Sequence, residues 1–486
     1  MPAIITNKFR IHNSEQFSES FSEASGNTYY LGIGRPTPFN TATRADGRTD
    51  NQGTDVIPLT PSDNNNIESL TYDDLLAVKK ITNTDVAFVA PRRNWTTGTT
   101  YDIYRHDYGE RITGTTNQQS SNSGVFNLYD ASFYVLNSAR NVYKCLDNNN
   151  NAISTVEPTG TNTSIILSTA DGYRWKYMYT LSASEQSNFL STDFMAVSTN
   201  SSVSGNAIDG SIDIIKIKTP GSGGADGTHT GIAIKGDGTG GVVSVTVTSG
   251  AVTAVTVTSA GSGYTFATIS NAQIIAAGAT NLVGAELDVI IPPKGGHGFN
   301  AVHELGAFFV MTNVSLEGTE SANTGDVTVA NDFRRVCLIR DPKSGGSAAT
   351  ETTLRATKAI QLTGTSGTFA VDEKISQAST GAVGKVVEWD STNSILYYVQ
   401  TKYNDEGVDA NGNQTAFSGA NVITGTSSAT GTPVSTSGTV NNVVIAGGYS
   451  VPEIDHDSGD ILYVENRAPI TRAADQTENI KLIIEF

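Results

Sequence analysis

Basic residues are scarce in this sequence. Lys and Arg number 31 against 48 Asp and Glu, for a formal net charge of -17. A surface this acidic repels phosphate backbones unless cations cluster locally. The densest basic groups are the isolated pairs Arg92-Arg93 and Arg334-Arg335, which suit salt bridges or caps, so no nucleic-acid partner is expected. Long apolar runs are also missing. None approaches the roughly 20 residues that a spanning helix needs, and Met1 to Arg10 lacks a basic stretch followed by an apolar one and a small-residue cleavage site. Neither membrane insertion nor secretion is therefore expected. Only two cysteines occur, Cys145 and Cys337, too few for a disulfide framework. They read as buried thiols of a protein matured in a reducing cytoplasm. Aromatics make up 8% of the chain, which with 48 Gly argues against a helix bundle.

What is present suits many short strands and frequent turns. Tyr29 to Ile33, Phe133 to Leu136 and Asn141 to Leu146 read as strands. In the last of these, period two places Tyr143 and Cys145 on one face and Val142, Lys144 and Leu146 on the other. A helix is expected from an N-cap near Thr71, with Leu75, Leu76 and Val78 as its apolar face and Lys79-Lys80 at its C-terminal end. A second, short helix is expected from Ser182 to Leu190, with Glu185 spaced for a capping box.

Two segments change character. Residues 206–292 are rich in Gly, Thr, Ser and Val, and Val245-Thr246-Val247-Thr248 is echoed by Val255-Thr256-Val257-Thr258 around Gly250. This reads as a hairpin with one apolar and one hydroxyl face, with Tyr264 folded over a small local core. Residues 346–445 contain a motif that recurs in shortened form. Gly367-Thr368-Phe369, Lys374-Ile375 and Ser379 to Gly384 are answered by Phe417-Ser418-Gly419, Val422-Ile423 and Ser427 to Gly431. Two copies fall short of a solenoid and point to a small β-barrel or paired hairpins. A flexible Gly/Ser linker would lack the regular Val and Ile spacing. The expected fold is mainly β: a multi-domain sandwich and barrel core with few short helices and two small β insertions. Its core segments are 1–205, 293–345 and 446–486.

The densest run of candidate metal ligands is His297, His303 and Glu304. It lacks the second His of a zincin helix, because position 307 is Ala, and Gly and Pro place it on a loop with capping histidines. No phosphate loop, nucleophile elbow or reactive-cysteine motif occurs, and Gly236 to Gly241 precedes no helix. The carboxylate pairs Asp73-Asp74 and Asp372-Glu373 read as solvated faces and not as an acid–base pair. Tyr173, Trp175, Tyr177 and Tyr179 alternate with Arg174, Lys176 and Met178. The aromatic face suits packing on a second sheet or subunit, with sugar stacking as the alternative. No catalytic, cofactor or metal residue is assigned.

The C-terminus is the most specific part of the chain. Gly459-Asp460-Ile461-Leu462-Tyr463-Val464-Glu465-Asn466-Arg467-Ala468-Pro469-Ile470 is followed by Asp475-Gln476-Thr477-Glu478-Asn479-Ile480-Lys481-Leu482-Ile483-Ile484-Glu485-Phe486. It closely resembles the end of the dimeric baseplate wedge subunit of T-even-like contractile-tailed bacteriophages. Two strands joined by a Pro-marked turn are expected here, with Glu465-Asn466-Arg467 as a charge-assisted clasp at the turn. Five further landmarks follow the order of that family: Ala3 to Arg10, Gly32 to Phe39, Ala90 to Trp95, Val142 to Asp147 and Asp171 to Tyr177. A looser sixth is Asp332 to Val336 with Arg340-Asp341-Pro342. The resemblance skips both Gly/Thr/Ser-rich segments.

It implies a mainly β homodimer that contacts other wedge subunits in a sixfold baseplate. The protein would be part of the virion tail, assembled in the bacterial host cytoplasm, and would have no catalytic residues or cofactor. Two other functions compete with this structural role. One is a tail-associated adhesion protein binding a host receptor through the insertions. The other is a polysaccharide hydrolase, which needs a carboxylate pair in an aromatic groove.

Overall fold

The computed structural model describes residues 4–23, 26–39, 53–319, 327–328, 332–400, 406–471 and 477–486. It is mainly β and divides into two compact units. Unit 1 comprises Met1–Gln16, Ala87–Met311 and Ile483–Phe486; unit 2 comprises Phe17–Val86 and Thr312–Leu482. This regroups the five expected segments. Residues 206–292 fall within unit 1, residues 346–445 fall within unit 2, and each of the three core segments is shared between the units. Among the described residues, no helix is long and apolar enough to cross a membrane.

Unit 1 is centred on a four-stranded antiparallel sheet of Tyr134–Leu136, Asn141–Asn148, Tyr173–Thr180 and Leu167–Ser168. Both of its faces are buried. Tyr143 and Cys145 join Tyr101, Tyr173, Trp175 and Tyr177 on one face. Val142 and Leu146 join Phe133, Met178 and Met195 on the other. Period two therefore holds along residues 142–146, as expected. It fails at the end of the aromatic strand. Tyr143 pairs with Tyr177 while its neighbour Val142 pairs with Tyr179, so Met178 is an extra residue. That bulge turns Tyr179 into the same core as Met178, away from the other three aromatics.

Residues 206–292 build their own apolar cluster on this unit. Thr239–Thr248 and Ala251–Ser262 form the expected hairpin, with Val245 opposite Val255. Ser249 and Gly250 turn it with φ of 53° and 81°, the pair of left-handed residues that a tight two-residue hairpin loop requires. Val243, Val245 and Val247 point inward with Tyr264. The Tyr264 hydroxyl accepts the Gly241 N–H and donates to the Ile234 carbonyl, both at 3.2 Å. The short helix Ala183–Phe189 has the expected capping box between Ser182 and Glu185.

In unit 2 a five-stranded sheet runs in the order Thr353–Arg355, Leu75–Ile81, Tyr29–Gly34, Phe333–Arg340 and Asp460–Ile470. The expected helix after Thr71 is corrected here. The helix is Asn65–Asp73, capped by the Asn64 side chain on the Ile67 N–H, and Thr71 lies inside it. Leu75, Leu76 and Val78 belong to a strand because Tyr29–Gly34 pairs alongside them along its length. Gly32 sits where three strands crowd together. A Cβ added there would lie 2.5 Å from Cys337 Sγ and 2.9 Å from Leu75 Cδ1. Gly32→Ala is therefore expected to cost about 1–3 kcal/mol by overpacking. Gly32→Ala with Cys337→Ala is expected to cost less than the sum of the two single changes, since one relieves the other. Chemical denaturation of the four proteins measures both.

The C-terminal strands also differ from expectation. Pro469 lies inside Asp460–Ile470 and marks no turn. Asp460–Ile470 pairs with Phe333–Arg340, whereas Thr477–Glu485 pairs with Phe309–Thr319. The expected turn, with Asp475 and Gln476, lies outside the described residues, as does Ala3 of the opening landmark. Proline is tolerated because the strand is at the sheet edge, where no neighbour needs its missing N–H.

Residues 346–445 close a six-stranded barrel. Lys358–Ser366 pairs on one side with Ile395–Val399 and on the other with Thr430–Pro433. Ala382–Asp390, Lys374–Gln377 and Ile423–Gly425 complete the ring. The sequence echo is a structural repeat. Ile375 pairs with Gly384 in one hairpin, and Ile423 pairs with Gly431 in the other. The hairpins meet at Ile375–Gly425 and Ser376–Thr424, a register that places a local twofold axis between Ser376 and Thr424. Phe369 and Phe417 enter the same core from the two repeats, edge-on to Trp389 and Tyr398.

Candidate functional site

The candidate metal run of unit 1 contains the most unusual buried chemistry. Residues 295–298 are a loop in which Gly295, Gly296 and Gly298 all have φ near +90°. Helix Ala301–Leu305 follows directly, so the stretch is not wholly loop as expected. Its cap is Asn300, whose side chain accepts the His303 N–H at 3.1 Å, and neither histidine caps. The histidines have separate partners. His303 Nε2 meets Glu15 Oε1 at 2.9 Å, whereas His297 is buried edge-on against Tyr104, with 5.0 Å between ring centroids. Among the described residues, no group of three or more His, Cys, Asp or Glu is placed to hold a metal.

Glu304 is the hub of this cluster. Its carboxylate accepts the Gly298 N–H on both oxygens, at 2.8 and 3.0 Å, and the Asn300 N–H at 3.2 Å. It also pairs with the fully buried Lys144. Lys144 Nζ stands 5.0 Å from the Tyr104 ring, so one aromatic ring carries both a cation and the His297 imidazole. Lys176 pairs with Lys144 across the sheet and donates to the Thr163 carbonyl at 2.9 Å. Desolvation lowers the Lys144 pKa despite Glu304. Desolvation and then the Lys144 charge lower that of Lys176. Burial holds His297 well below 6.5, helped by both lysines, and raises the Asp213 carboxyl. Such a cluster fastens a loop and a helix to a sheet by charge-assisted hydrogen bonds. It was half legible: Lys144 sits between Val142 and Leu146 on an apolar face, where a cation needs a partner, but nothing local points to Glu304.

Unit 2 holds a second cluster, built from pairs that the sequence suggested were solvated. Asp73 and Asp74 are buried, which corrects that expectation. Asp73 meets His456 Nε2 at 2.8 Å, and Asp74 lies 3.5 Å from Arg335 and 3.7 Å from Lys385. Asp372 takes Arg35 at 2.8 Å and Arg334 at 3.3 Å. Glu373 is not a second acid beside it but a loop clasp, accepting the Ser427 N–H at 2.7 Å. The clasp expected at a turn is corrected: Glu465 to Arg467 lie inside strand Asp460–Ile470, where Asn466 accepts from Arg335 Nε at 2.9 Å and donates to the Leu59 carbonyl at 3.1 Å. The physical reason for the burial is remote: cations on distant strands converge on carboxylates that local sequence leaves unpaired.

The remaining candidates have structural placements. Arg92 donates to the Ser191 carbonyl at 2.7 Å, and Arg93 donates to the Tyr129 carbonyl at 3.1 Å. Gly236 to Gly241 spans two strands, with Asp237 accepting the N–H groups of Thr265 and Phe266. Tyr173, Trp175 and Tyr177 are buried among aromatic neighbours and present no open face to a sugar. Cys145 and Cys337 are free and buried, and burial pushes the Cys337 thiol up to about 12. Compared with known proteins, the chain matches no protein-family model and no curated protein.

Proposed function

We propose that this chain is a structural subunit of a contractile phage tail baseplate, a dimeric wedge protein that acts through interfaces and not through catalysis. One observation carries the reading: the family landmarks run in order from Ala3 to Phe486 and end in the Asp460-to-Ile470 and Asp475-to-Phe486 stretches. The mainly β architecture is compatible with it. So are the two ion clusters, in which Glu304 pairs with Lys144 and a backbone N–H and Asp74 with Arg335. The subunit would hold neighbouring wedge proteins in one arrangement before infection and permit another during the rearrangement that precedes sheath contraction. That requires interfaces with two packings of similar energy. It would reside in the virion tail.

Light scattering on the purified protein, alone and with candidate wedge partners, tests the proposal. The expected result is a dimer that enters a larger complex of defined mass. A trimer indifferent to those partners overturns it and favours host-receptor adhesion through residues 206–292 or 346–445.

A further inference from the structure

We propose that residues 295–305 form an acid-released latch, in which a proton taken up by His297 opens the loop and frees the Glu304 clasp. The geometry is that of a group held where a charge cannot stay. Nδ1 of His297 is buried and has no hydrogen-bond partner among the described residues. The ring lies against Tyr104, which already carries Lys144.

The titratable groups around it are accounted for element by element. Strand Asn141–Asn148 supplies Lys144, and strand Tyr173–Thr180 supplies Lys176. Both disfavour an imidazolium. Segment 101–108 supplies Tyr104, whose hydroxyl stays protonated because burial raises its pKa. Glu304, on helix Ala301–Leu305, is committed to Lys144 and to two backbone N–H groups. Burial raises the Asp213 carboxyl, and its charge already faces Arg174, Lys176 and Lys144. Among the described residues, a further cation here would meet only carboxylates that already face lysine or arginine, so protonation is coupled to departure of the ring.

The latch has defined fastenings. Gly298 lies against Val203 and the Lys176 stem, where a Cβ would come within 2.5 Å of Val203 Cγ1. The Gly295 N–H donates to Asp209 at 2.6 Å, and Ser204 Oγ donates to the Phe299 carbonyl at 2.7 Å. Moving His297 disturbs the Gly298 N–H bonds to Glu304 beside it. The sign is fixed by linkage. The folded-state pKa is lowered, so the closed loop binds fewer protons than the open one. Closure is complete above the ordinary value of 6.5 and is lost as pH falls below it. One proton gives about a tenfold rise in the opening equilibrium per pH unit.

Hydrogen exchange on the full chain between pH 7.5 and 5, corrected for intrinsic rates, tests this beside NMR of ring-labelled histidine. The six histidines are separable by single substitution. Protection of residues 295–305 is expected to fall about tenfold per pH unit below 6.5, with His297 protonated only in the open form, and His297→Asn is expected to abolish the dependence. Protection that stays constant while His297 titrates overturns the latch, as does an equal fall in His297→Asn. If that variant does not fold, the wild-type exchange and NMR data still decide. Neither readout involves wedge partners, so failure here leaves the wedge proposal standing.

Discussion

Lys144→Met is expected to destabilise unit 1 by about 3–5 kcal/mol, the cost of leaving a buried carboxylate without its cation. Lys144 and the Glu304 side chain are almost wholly shielded from water, so solvent cannot replace the lost partner. The double change Lys144→Met with Glu304→Gln is expected to recover most of that loss. It removes both charges while leaving an amide oxygen to accept the Gly298 and Asn300 N–H groups. Lys144→Met with Glu304→Leu should recover less, because those two donors would be orphaned. Urea denaturation followed by tryptophan fluorescence measures the series. Trp95 and Trp175 report on unit 1, and Trp389→Phe removes the signal of unit 2. If Lys144→Met and the Gln double variant are equally unstable, the pair is not what holds the loop.

Asp74→Ala should have a comparable effect on unit 2, about 3–5 kcal/mol, by removing a buried anion beside Arg335 and Lys385. Salt should not rescue it, because buried pairs are screened far less than exposed ones. The neighbouring Asp372 predicts how unit 2 responds to acid. Desolvation opposes its ionisation, but hydrogen bonds and charge from Arg35, with Lys385 and Arg334, outweigh that and lower its pKa below 3.8. Its stabilising contribution is therefore complete above 3.8 and is lost as pH falls through the folded-state value. Unit 2 monitored by Trp389 should accordingly keep this contribution at pH 5, where opening of the latch of unit 1 is expected to be favoured about thirtyfold more than above pH 6.5. Coincident loss in both units at pH 5 would contradict the assignment of separate titrating groups.

How far local sequence reaches can be judged from particular elements. The Ser182 capping box, the Val/Thr hairpin around Gly250 and the burial of Tyr264 were all legible. Each is decided by residues within a few positions of one another, or by a strict alternation that only one pairing satisfies. The two hairpins of the barrel were legible as an echo, because the same fold written twice repeats its apolar and glycine positions. Leu75, Leu76 and Val78 were misread as a helix face because so short an apolar run fits either period. The choice was made by Tyr29–Gly34 and Thr353–Arg355 pairing on both sides.

Local sequence was enough for the mainly β class, the Val/Thr hairpin and the repeated hairpin of residues 346–445. Composition and periodicity are properties of short windows and survive any rearrangement of the rest. Tertiary structure alone decided that Asp73 and Asp74 are buried, that Lys144 meets Glu304 across 160 residues, and that Tyr179 leaves its aromatic face at a bulge. Burial of a charge is settled by whether an opposite charge arrives from elsewhere, and that arrival depends on strand pairing between residues far apart in the chain.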